Sequence, residues 1–339
     1  SFNSNIIIFD EPTSSLTLEE TQILFDIIKR LKDKNISLIY ISHRLEDIFS
    51  IGDRIVVLRD GMNSGDGFIK ELNQDKVISL MVGRDIQNQF PKLEIDNIDK
   101  EILRVENINN DKIHNASFIL KKGEILGFGG LIGAGRSELM RAIMGLDKST
   151  CKIYKCGKRI FNRTVFDAIN NKFALVPEDR KDQGLVLILS ILKNIEMSSL
   201  KKLSKLGFMI SNKEKQTSDL YIDKLKIKTY GYDQDAQDLS GGNQQKVVIA
   251  KCLLTEPDIL ILDEPTRGID IGSKSEIYKI MRDLSKAGVS IIMISSELPE
   301  LINMSHRIYV MRDGYITGEI SNEEASEETI MKLATQQIK

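Results

Sequence analysis

The feature that most constrains this chain is an internal repeat. Residues 6–61 and 259–314 align without a gap, because Asp10, Ser42 and Gly61 plus 253 give Asp263, Ser295 and Gly314. The shared stretches are IIIFDEPT and ILILDEPT, LIYIS and IIMIS, and RIVVLRDG and RIYVMRDG. A match of this length at one fixed offset indicates two copies of one structural unit of about 250 residues.

The two copies are unequal in length. Before its DEPT motif the second copy has about 160 residues that the first copy lacks, and the chain begins at Ser1, without Met, almost directly in a strand pattern. We interpret the chain as a fragment, with residues 1–85 forming the C-terminal part of a first domain and 102–339 a complete second domain. Residues 86–101, which contain Pro91 and several acids, are the predicted linker.

Each copy has the pattern of an α/β structure. In the second copy the apolar runs 259–262 and 289–294 flank a stretch with apolar residues at helical spacing, and a further strand pattern covers 307–311. Alternation of this kind predicts parallel strands in a sheet that is covered by helices.

Composition excludes several classes of protein. The chain has 339 residues, 41% apolar, with a formal charge of −2 and no concentrated basic segment, so no nucleic acid partner is expected. Its three cysteines lack metal-ligand or redox spacing, which fits a reducing cytosol. The longest apolar run, 184–192, is about half the length of a membrane-spanning helix, so we expect any membrane association to be peripheral.

The segment GEILGFGGLIGAGRSELMRAIMG predicts a strand, a glycine loop and a helix. It fits the phosphate-binding pattern G-x-x-x-x-G-K-[ST] except that Arg136 replaces Lys. Backbone N–H groups of such a loop close around phosphate oxygens, and Ser137 is a candidate Mg²⁺ ligand. A glycine-rich turn at a helix start is the alternative interpretation. The candidate phosphate-binding residues are Gly130, Gly133, Ala134, Gly135, Arg136 and Ser137.

Two further motifs follow in a fixed order. LSGGNQQKV begins a helix at Ser240, Gly241 and Gly242, whose amides could face a phosphate from a neighbouring molecule, although a simple helix cap would have the same pattern. About twenty residues later, the strand ILILDEPT delivers Asp263 and Glu264 to a sheet edge. Asp263 can hold Mg²⁺ and Glu264 can orient or deprotonate an attacking water, unless the strand merely ends in surface acids.

The order of phosphate loop, LSGG signature, DEPT and a downstream switch position resembles the ATP-binding-cassette (ABC) family over essentially the whole chain. The duplication, together with VPEDRKDQGLV, DEPTRGIDIGSK and MVGRDIQNQFP, is similar to the ATP-binding subunit of monosaccharide importers, of the ribose, galactose or xylose type. The resemblance implies a P-loop NTPase fold with a mostly parallel sheet and a helical subdomain.

The resemblance also implies two nucleotide sites, each shared by two cassettes that pair head to tail within the chain. In the first site Asp10 would hold Mg²⁺, Glu11 would be the catalytic base and His43 the switch that senses the γ-phosphate. The second domain would contribute its signature residues and Asp270. His43 by itself would more often be a surface or capping histidine; its place in ISHR after DEPT supports the switch role.

The second site takes the phosphate loop, Glu178, Asp263 and Glu264, and it departs from the family pattern. Arg136 replaces the loop lysine, Ser296 stands where the switch histidine is expected, and Glu178 stands where the family usually has Gln. No aromatic residue between 104 and 115 offers itself for stacking on adenine. We expect this site to bind ATP and Mg²⁺ but to turn over slowly or not at all.

The resemblance predicts an energy-coupling ATPase on the cytoplasmic face of the cell membrane, weakly active as a fragment. Its partners would be membrane permease subunits and, indirectly, a sugar-binding protein. Segment 185–195 corresponds to the region that meets the permease, although a core segment fits nearly as well.

Two other classes of function remain. One is a soluble duplicated cassette acting on ribosomes or DNA, but such proteins carry a long basic arm where this linker is short and acidic. The other is a regulator without turnover, favoured by Arg136 and Ser296 but opposed by Asp10, Glu11 and His43.

Overall fold

The computed structural model of the protein describes residues 4–13, 18–42, 45–59, 62–74, 76–77, 80, 90–93, 99–205, 208–209 and 211–336. Two compact units are distinguished, one of Ser1–Gln89 with Asp270–Gly272 and one of Phe90–Ile269 with Ser273–Lys339. Most of the predicted linker, 86–101, lies outside the described residues, and the three predicted domain boundaries remain predictions.

The first unit contains two pairs of strands. Strands β1 (Ile6–Asp10) and β2 (Ser37–Ile41) are parallel, and β3 (Arg54–Arg59) and β4 (Met62–Phe68) form an antiparallel hairpin. Helices Leu18–Asp33 and Leu45–Ile51 follow β1 and β2, and a 3-10 turn, Ile69–Glu71, follows β4. Its apolar clusters are small, with three buried residues at the centre of each: Phe25, Ile28 and Ile51 in one, and Ile55, Val57 and Val77 in the other.

The main sheet of the second unit has six strands. Its order is β10-β13-β14-β7-β15-β16, and only β16 runs antiparallel to its neighbour. Both β13 and β14 are buried at every position, as expected for parallel strands covered on both faces. The bounds are β7 (Ile125–Gly130), β10 (Phe173–Val176), β13 (Ile259–Asp263), β14 (Ser290–Ile294), β15 (Arg307–Arg312) and β16 (Tyr315–Ser321).

A second, antiparallel sheet of four strands was not predicted from the sequence. Its order is β6-β5-β8-β9, with β5 (Glu101–Asn109), β6 (Ala116–Lys121), β8 (Thr150–Lys155) and β9 (Lys158–Ile160). The pairing of β5 with each neighbour contains register shifts, which interrupt the period-two alternation that marks a strand.

Helices cover the main sheet, and several form a helical region between residues 180 and 253. Two short strands, β11 (Ser204–Lys205) and β12 (Phe208–Met209), pair within it. In the described residues no helix combines the length and apolarity needed to cross a bilayer. The α-helices are Arg136–Ile143, Val165–Asn170, Ile191–Glu196, Leu200–Leu203, Ser211–Leu225, Gly241–Leu253, Ile271–Lys286, Leu298–Met304 and Glu327–Thr335; Arg180–Gly184 is a π-helical turn, and Ala236–Asp238 and Asn322–Glu324 are 3-10 turns.

The structure repeats the offset found in the sequence. Adding 253 to the bounds of β1, β2, β3 and β4 gives those of β13, β14, β15 and β16, and the helices between them shift by the same amount. Even the irregularity in the hairpin recurs, between Val57 and Leu58 and between Val310 and Met311. The two segments therefore have the same local fold.

Burial of these equivalent strands differs between the units. Ile6 and Ile8 are 61% and 63% exposed, whereas their counterparts Ile259 and Ile261 are fully buried. In the second unit those side chains belong to a cluster that includes Leu139 of the helix after the glycine loop. The face of these strands that is buried within the second unit is therefore exposed at the equivalent positions of the first unit.

Candidate functional site

The glycine loop connects β7 to the helix Arg136–Ile143. Gly135 is the residue before that helix and has φ 96°, a left-handed conformation that favours glycine. A Cβ atom at this position would lie 2.9 Å from Cδ1 of Ile113 and 3.2 Å from Cα of Gly314. Because glycine offers no side-chain acceptor, the amides of the first helical turn are not capped from within the loop.

The turn between β15 and β16 contacts the glycine loop, and the sequence analysis did not predict this contact. The backbone N–H of Gly314, between β15 and β16, donates to the carbonyl of Ala134 at 3.0 Å. The carbonyl of Gly314 accepts from the backbone N–H of His114, also at 3.0 Å. These hydrogen bonds connect the end of the loop at Ala134 to the β15–β16 turn, and that turn to His114, just before β6.

The Arg136 guanidinium turns towards the edge of the sheet and is nearly buried. Nη1 donates to the carbonyl oxygen of Ser295 at 2.6 Å, and Nη2 lies 3.7 Å from Oε1 of Glu264. Burial lowers the pKa of Arg136, and the carboxylates of Glu264 and Asp263 oppose that effect. Arg136 thus links the glycine loop to the carboxylate that was predicted as the catalytic base.

Both carboxylate oxygens of Glu264 are in contact with a neighbouring side chain. It follows β13 with φ 47°, an uncommon conformation for a residue other than glycine, and its N–H donates to the carbonyl of Ile294 at 3.0 Å. Ser296 Oγ donates to Oε2 at 3.1 Å while Arg136 lies beside Oε1. A carboxylate with a cation beside one oxygen and a hydroxyl bonded to the other is less free to orient water.

Asp263 and Ser137 lie together beneath the loop. Asp263 is 5% exposed, and burial raises its pKa to about 6, with the Ser137 hydroxyl opposing the shift and Glu264 adding to it. Within the part of the chain that the structure describes, the buried Oδ1 of Asp263 has no hydrogen-bond partner. A carboxylate oxygen left open beside a hydroxyl is a donor set that fits Mg²⁺.

No dedicated protein cage for a metal is present among the described residues, which hold no cluster of three or more His, Cys, Asp or Glu side chains suited to an ion. The donor set at this site is the hydroxyl of Ser137 and the carboxylate of Asp263. Two such protein ligands fit Mg²⁺ that is bound together with the phosphates of a nucleotide.

Glu178 follows β10 and forms an ion pair with Arg267. Both side chains are substantially exposed, so the pair itself adds little to stability. Arg267 lies three residues after Glu264, and the sequence analysis did not single it out. The ion pair engages the carboxylate that stands where the resemblance predicts Gln.

The LSGG signature packs against the segment that follows DEPT. A Cβ atom on Gly242 would lie 2.4 Å from Cβ and Oγ of Ser273, so this helix position requires glycine for packing alone. Arg180 lies beside Gly241 and donates to the carbonyls of Arg267 and Gly268 at 2.7 and 2.9 Å. Sequence reasoning missed Arg180, because its partners lie more than eighty residues away.

Ser240 does not cap its own helix in the expected way. It occupies the N-cap position of Gly241–Leu253 without a side-chain cap hydrogen bond, and its Oγ accepts from Nδ2 of Asn243 at 2.9 Å. The first-turn amides of the signature helix are therefore not capped by this hydroxyl, as the predicted phosphate-binding role requires.

In the first unit, Asp10 and Glu11 repeat the backbone geometry of Asp263 and Glu264. Asp10 ends β1, and Glu11 has φ 44° with its N–H donating to the carbonyl of Ile41 at 2.9 Å. His43 lies outside the described residues. Asp270 directly precedes Ile271–Lys286, and the shared site predicted for these residues stays a prediction.

Comparison with known proteins agrees with this class of site. The ABC transporter domain family matches residues 113–267. A nucleotide-free ATP-binding cassette from an ABC transporter superposes with a TM-score of 0.59 at 23% identity, covering 70% of this chain and 100% of that chain. A dimeric cassette in a post-hydrolysis state with ADP and Pi gives 0.57 at 21% identity, covering 65% and 99%. The phosphate loop, the acid pair after β13 and this fold define an ABC-type nucleotide-binding protein.

Three curated relatives show which members of this class the chain resembles. A ribose import ATP-binding protein of Caldanaerobacter subterraneus is 48% identical over 98% of this chain and 67% of its own length. A galactose/methyl galactoside import ATP-binding protein of Clostridium tetani is 48% identical (99% and 67%), and a xylose import ATP-binding protein of Moorella thermoacetica is 45% identical (98% and 68%). The chain belongs to the ABC transporter ATP-binding family. The predictions of fold and family are confirmed.

Proposed function

We propose that the protein is the ATP-hydrolysing, energy-coupling subunit of a monosaccharide importer, and that its sugar is ribose or a close relative. The observation that carries this proposal is identity approaching one half, over nearly the whole chain, to relatives named for ribose import. Relatives named for galactoside and xylose import are almost as similar, so the sugar class is better supported than the individual sugar.

The second unit supplies a place for ATP with Mg²⁺. Amides of the loop and of the first turn of Arg136–Ile143 would contact the phosphates, and Ser137 and Asp263 would hold Mg²⁺. Mg²⁺ held by these residues would neutralise charge on the phosphate oxygens. Ser137 and Asp263 already lie close to each other, so little rearrangement is needed to bring them to one ion.

We further propose that this second site binds nucleotide but contributes little turnover. Glu264 is engaged by Arg136 and by Ser296, and both must release it before it can orient water. Serine at 296 also lacks the reach and the imidazole chemistry expected of the switch residue. The arrangement favours a site that responds to ATP binding over one that cleaves ATP repeatedly.

Turnover is then assigned to the site that takes Asp10, Glu11 and His43, with Glu11 as the base. The signature residues Ser240, Gly241 and Gly242 and the residue Asp270 would serve this nucleotide, in an intramolecular pairing of two cassettes. The proposal is supported by the matching backbone conformations of Glu11 and Glu264 and by the histidine at position 43, which is equivalent to Ser296.

The partners proposed are permease subunits in the membrane, contacted from the cytoplasmic face, and a sugar-binding protein reached only through them. No nucleic acid partner is proposed. A regulator without turnover is the second candidate function, and the engagement of Glu264 by Arg136 and Ser296 is the observation that favours it.

Uptake measurements test the proposal. The full-length gene is expressed with its adjacent permease and binding-protein genes in a host that lacks its own ribose, galactose and xylose importers. Labelled ribose is expected to accumulate, and Glu11→Gln is expected to abolish that accumulation, with labelled galactose and xylose as comparators. Wild-type expression without uptake of any of the three sugars would favour the regulator instead.

A further inference from the structure

A buried carboxyl group lies behind the second site and takes no part in the chemistry proposed above. Glu300, in the first turn of Leu298–Met304, is 1% exposed. Thr266 Oγ1 donates to its Oε1 at 2.9 Å, and Ser295 Oγ donates to its Oε2. A carboxyl so deeply buried is costly unless each oxygen is hydrogen bonded, and here both are.

The two donors belong to two different parts of the site. Thr266 is two residues after Glu264, in the turn that carries the candidate base. Ser295 directly follows β14 and precedes Ser296, and its carbonyl oxygen accepts the hydrogen bond from Arg136. Glu300 therefore ties the DEPT turn to the segment that holds the switch position.

Tyr278, Glu297 and Lys274 also lie near the Glu300 carboxyl group. Burial raises the pKa of Glu300 to about 7; the hydroxyls of Ser295 and Thr266 and the Lys274 ammonium oppose this rise, and Glu297 adds to it. Desolvation thus outweighs the favourable contacts. A group this costly to bury is better explained by what it holds in place than by stability.

The first unit contains the same hydrogen bond at the equivalent positions. Subtracting 253 turns Thr266 into Thr13 and Glu300 into Asp47, and Thr13 Oγ1 donates to Asp47 Oδ2 at 2.5 Å. Thr13 and Asp47 are 2% and 3% exposed, and the Tyr40 hydroxyl approaches the same oxygen at 3.4 Å. The acid differs in length between the copies, yet the bond to the DEPT threonine is kept.

We propose that Asp47 and Glu300 are positioning residues, each holding the turn that carries a candidate catalytic glutamate, Glu11 or Glu264, against the helix after the switch position. The inference rests on the proposed function, since it concerns how the glutamate of that site is aimed. The hydrogen bond between the threonine and the buried carboxyl group is separate from the predicted nucleotide contacts.

The backbone conformation of the two glutamates explains why the turn needs this hydrogen bond. Glu11 and Glu264 both have left-handed φ values, 44° and 47°, which cost energy for residues other than glycine and persist only when neighbouring contacts hold them. A shift of about 1 Å in a group that aims water can lower a rate about a hundredfold. The threonine bond restrains the turn two residues beyond the strained position.

The test uses the full-length subunit assembled with its permease, with steady-state ATPase activity as the readout. Thr13→Val keeps the shape of the side chain but removes the donor, and it is expected to lower kcat about tenfold while the KM for ATP stays within about twofold. Thr13→Ser restores the hydroxyl and is expected to restore kcat. Ser50→Ala, which removes an exposed hydroxyl from the helix of Asp47, is the control for general effects.

Thermal midpoints measured on the same samples separate positioning from stability. A lower midpoint with unchanged kcat in Thr13→Val would overturn the proposal, as would failure of Thr13→Ser to restore a lost kcat. Where Thr13→Val yields too little folded protein, Asp47→Ala, which removes the acceptor, is measured with the same expectation. Glu11→Gln is run alongside: if it loses turnover while Thr13→Val and Asp47→Ala do not, the positioning role fails and the proposed function stands.

Discussion

At the scale of single residues, the second site is defined by what surrounds Glu264. A catalytic base needs one oxygen facing the attacking water, and here Arg136 lies beside one oxygen while Ser296 hydrogen bonds the other. Arg136 also carries the planar fork that lets it reach Ser295 and Glu264 together, which the single ammonium of a lysine could not do in the same way. The substitution at 136 therefore changes what the loop contacts, not only its charge.

Arg136→Ala is expected to lower the free energy of unfolding of the 339-residue chain by about 3 kcal/mol, because it leaves Glu264 and the Ser295 carbonyl without their buried partner. Arg141→Ala is the matched control, since Arg141 lies on the same helix and pairs with Asp147 at the surface. Its loss is expected to cost at most about 1 kcal/mol. Urea unfolding of both variants gives the comparison, and equal losses would show that the Arg136 contacts are worth no more than a surface pair.

The sequence predicted the residues of the site better than their contacts. Arg136, Ser296 and Glu178 were recognisable as departures from a motif at fixed spacing. The contacts of Glu264 with Arg136, and of Arg180 with Arg267 and Gly268, join residues that are far apart in the chain. Such contacts depend on how the strands are ordered in the sheet, which spacing alone does not determine.

At the scale of elements, the helical region contains a pair of buried acids that the sequence gave no reason to expect. Glu196, ending Ile191–Glu196, is 1% exposed, and Glu214, in Ser211–Leu225, is 7% exposed. Lys193 Nζ lies 3.6 Å from each carboxylate. Burial raises the pKa of Glu196 to about 7, the nearby Glu214 adds to this, and Lys193 opposes it.

This pair predicts a pH dependence of stability. Because the pKa of Glu196 is higher in the folded state than in the unfolded chain, the folded state binds more protons between about pH 4.5 and pH 7. The free energy of unfolding should therefore fall as the pH rises through this window. Glu196→Gln is expected to flatten that dependence and to stabilise the chain at pH 8, as measured by urea unfolding at a series of pH values.

Glu256→Gln serves as the control, because Glu256 is largely exposed and pairs with Lys172 at the surface. It is expected to leave the pH profile unchanged. A profile for Glu196→Gln that runs parallel to that of the unsubstituted chain would mean that Glu196 does not titrate in this window.

The order of the parallel elements was predictable, and the antiparallel sheet was not. The strand patterns at 259–262 and 289–294 correspond to β13 and β14 within one residue at each end, since uninterrupted apolar runs mark strands buried on both faces. Strand β5 is interrupted by residues such as Asn107, whose φ is 52°, and its alternation is lost at the irregularities. The local sequence pattern therefore does not predict a strand whose conformation depends on pairing with its neighbours.

At the scale of the whole molecule, the two units differ in how much core they enclose. The first has small clusters and an apolar sheet face with Ile39 and Ile41 about half exposed, whereas the second encloses large clusters on both faces of its main sheet. Each unit has its own apolar core, so we expect them to unfold at different temperatures.

Calorimetry of the 339-residue chain is expected to give two transitions, the lower one from the first unit. Saturating ATP with Mg²⁺ should raise only the upper transition, because the glycine loop, Ser137 and Asp263 all lie in the second unit. At a ligand concentration of about 100 times Kd, the added stability is about 2.7 kcal/mol. A single transition, or a shift of the lower one alone, would contradict this division.

The account depends most on an unequal division of ATP hydrolysis between the sites of Glu11 and Glu264. Steady-state ATPase activity of the full-length subunit, assembled with its permease, tests it directly. Glu11→Gln is predicted to abolish nearly all turnover, and Glu264→Gln, at a position already engaged by Arg136 and Ser296, is predicted to leave most of it. Comparable losses from the two substitutions would contradict the account.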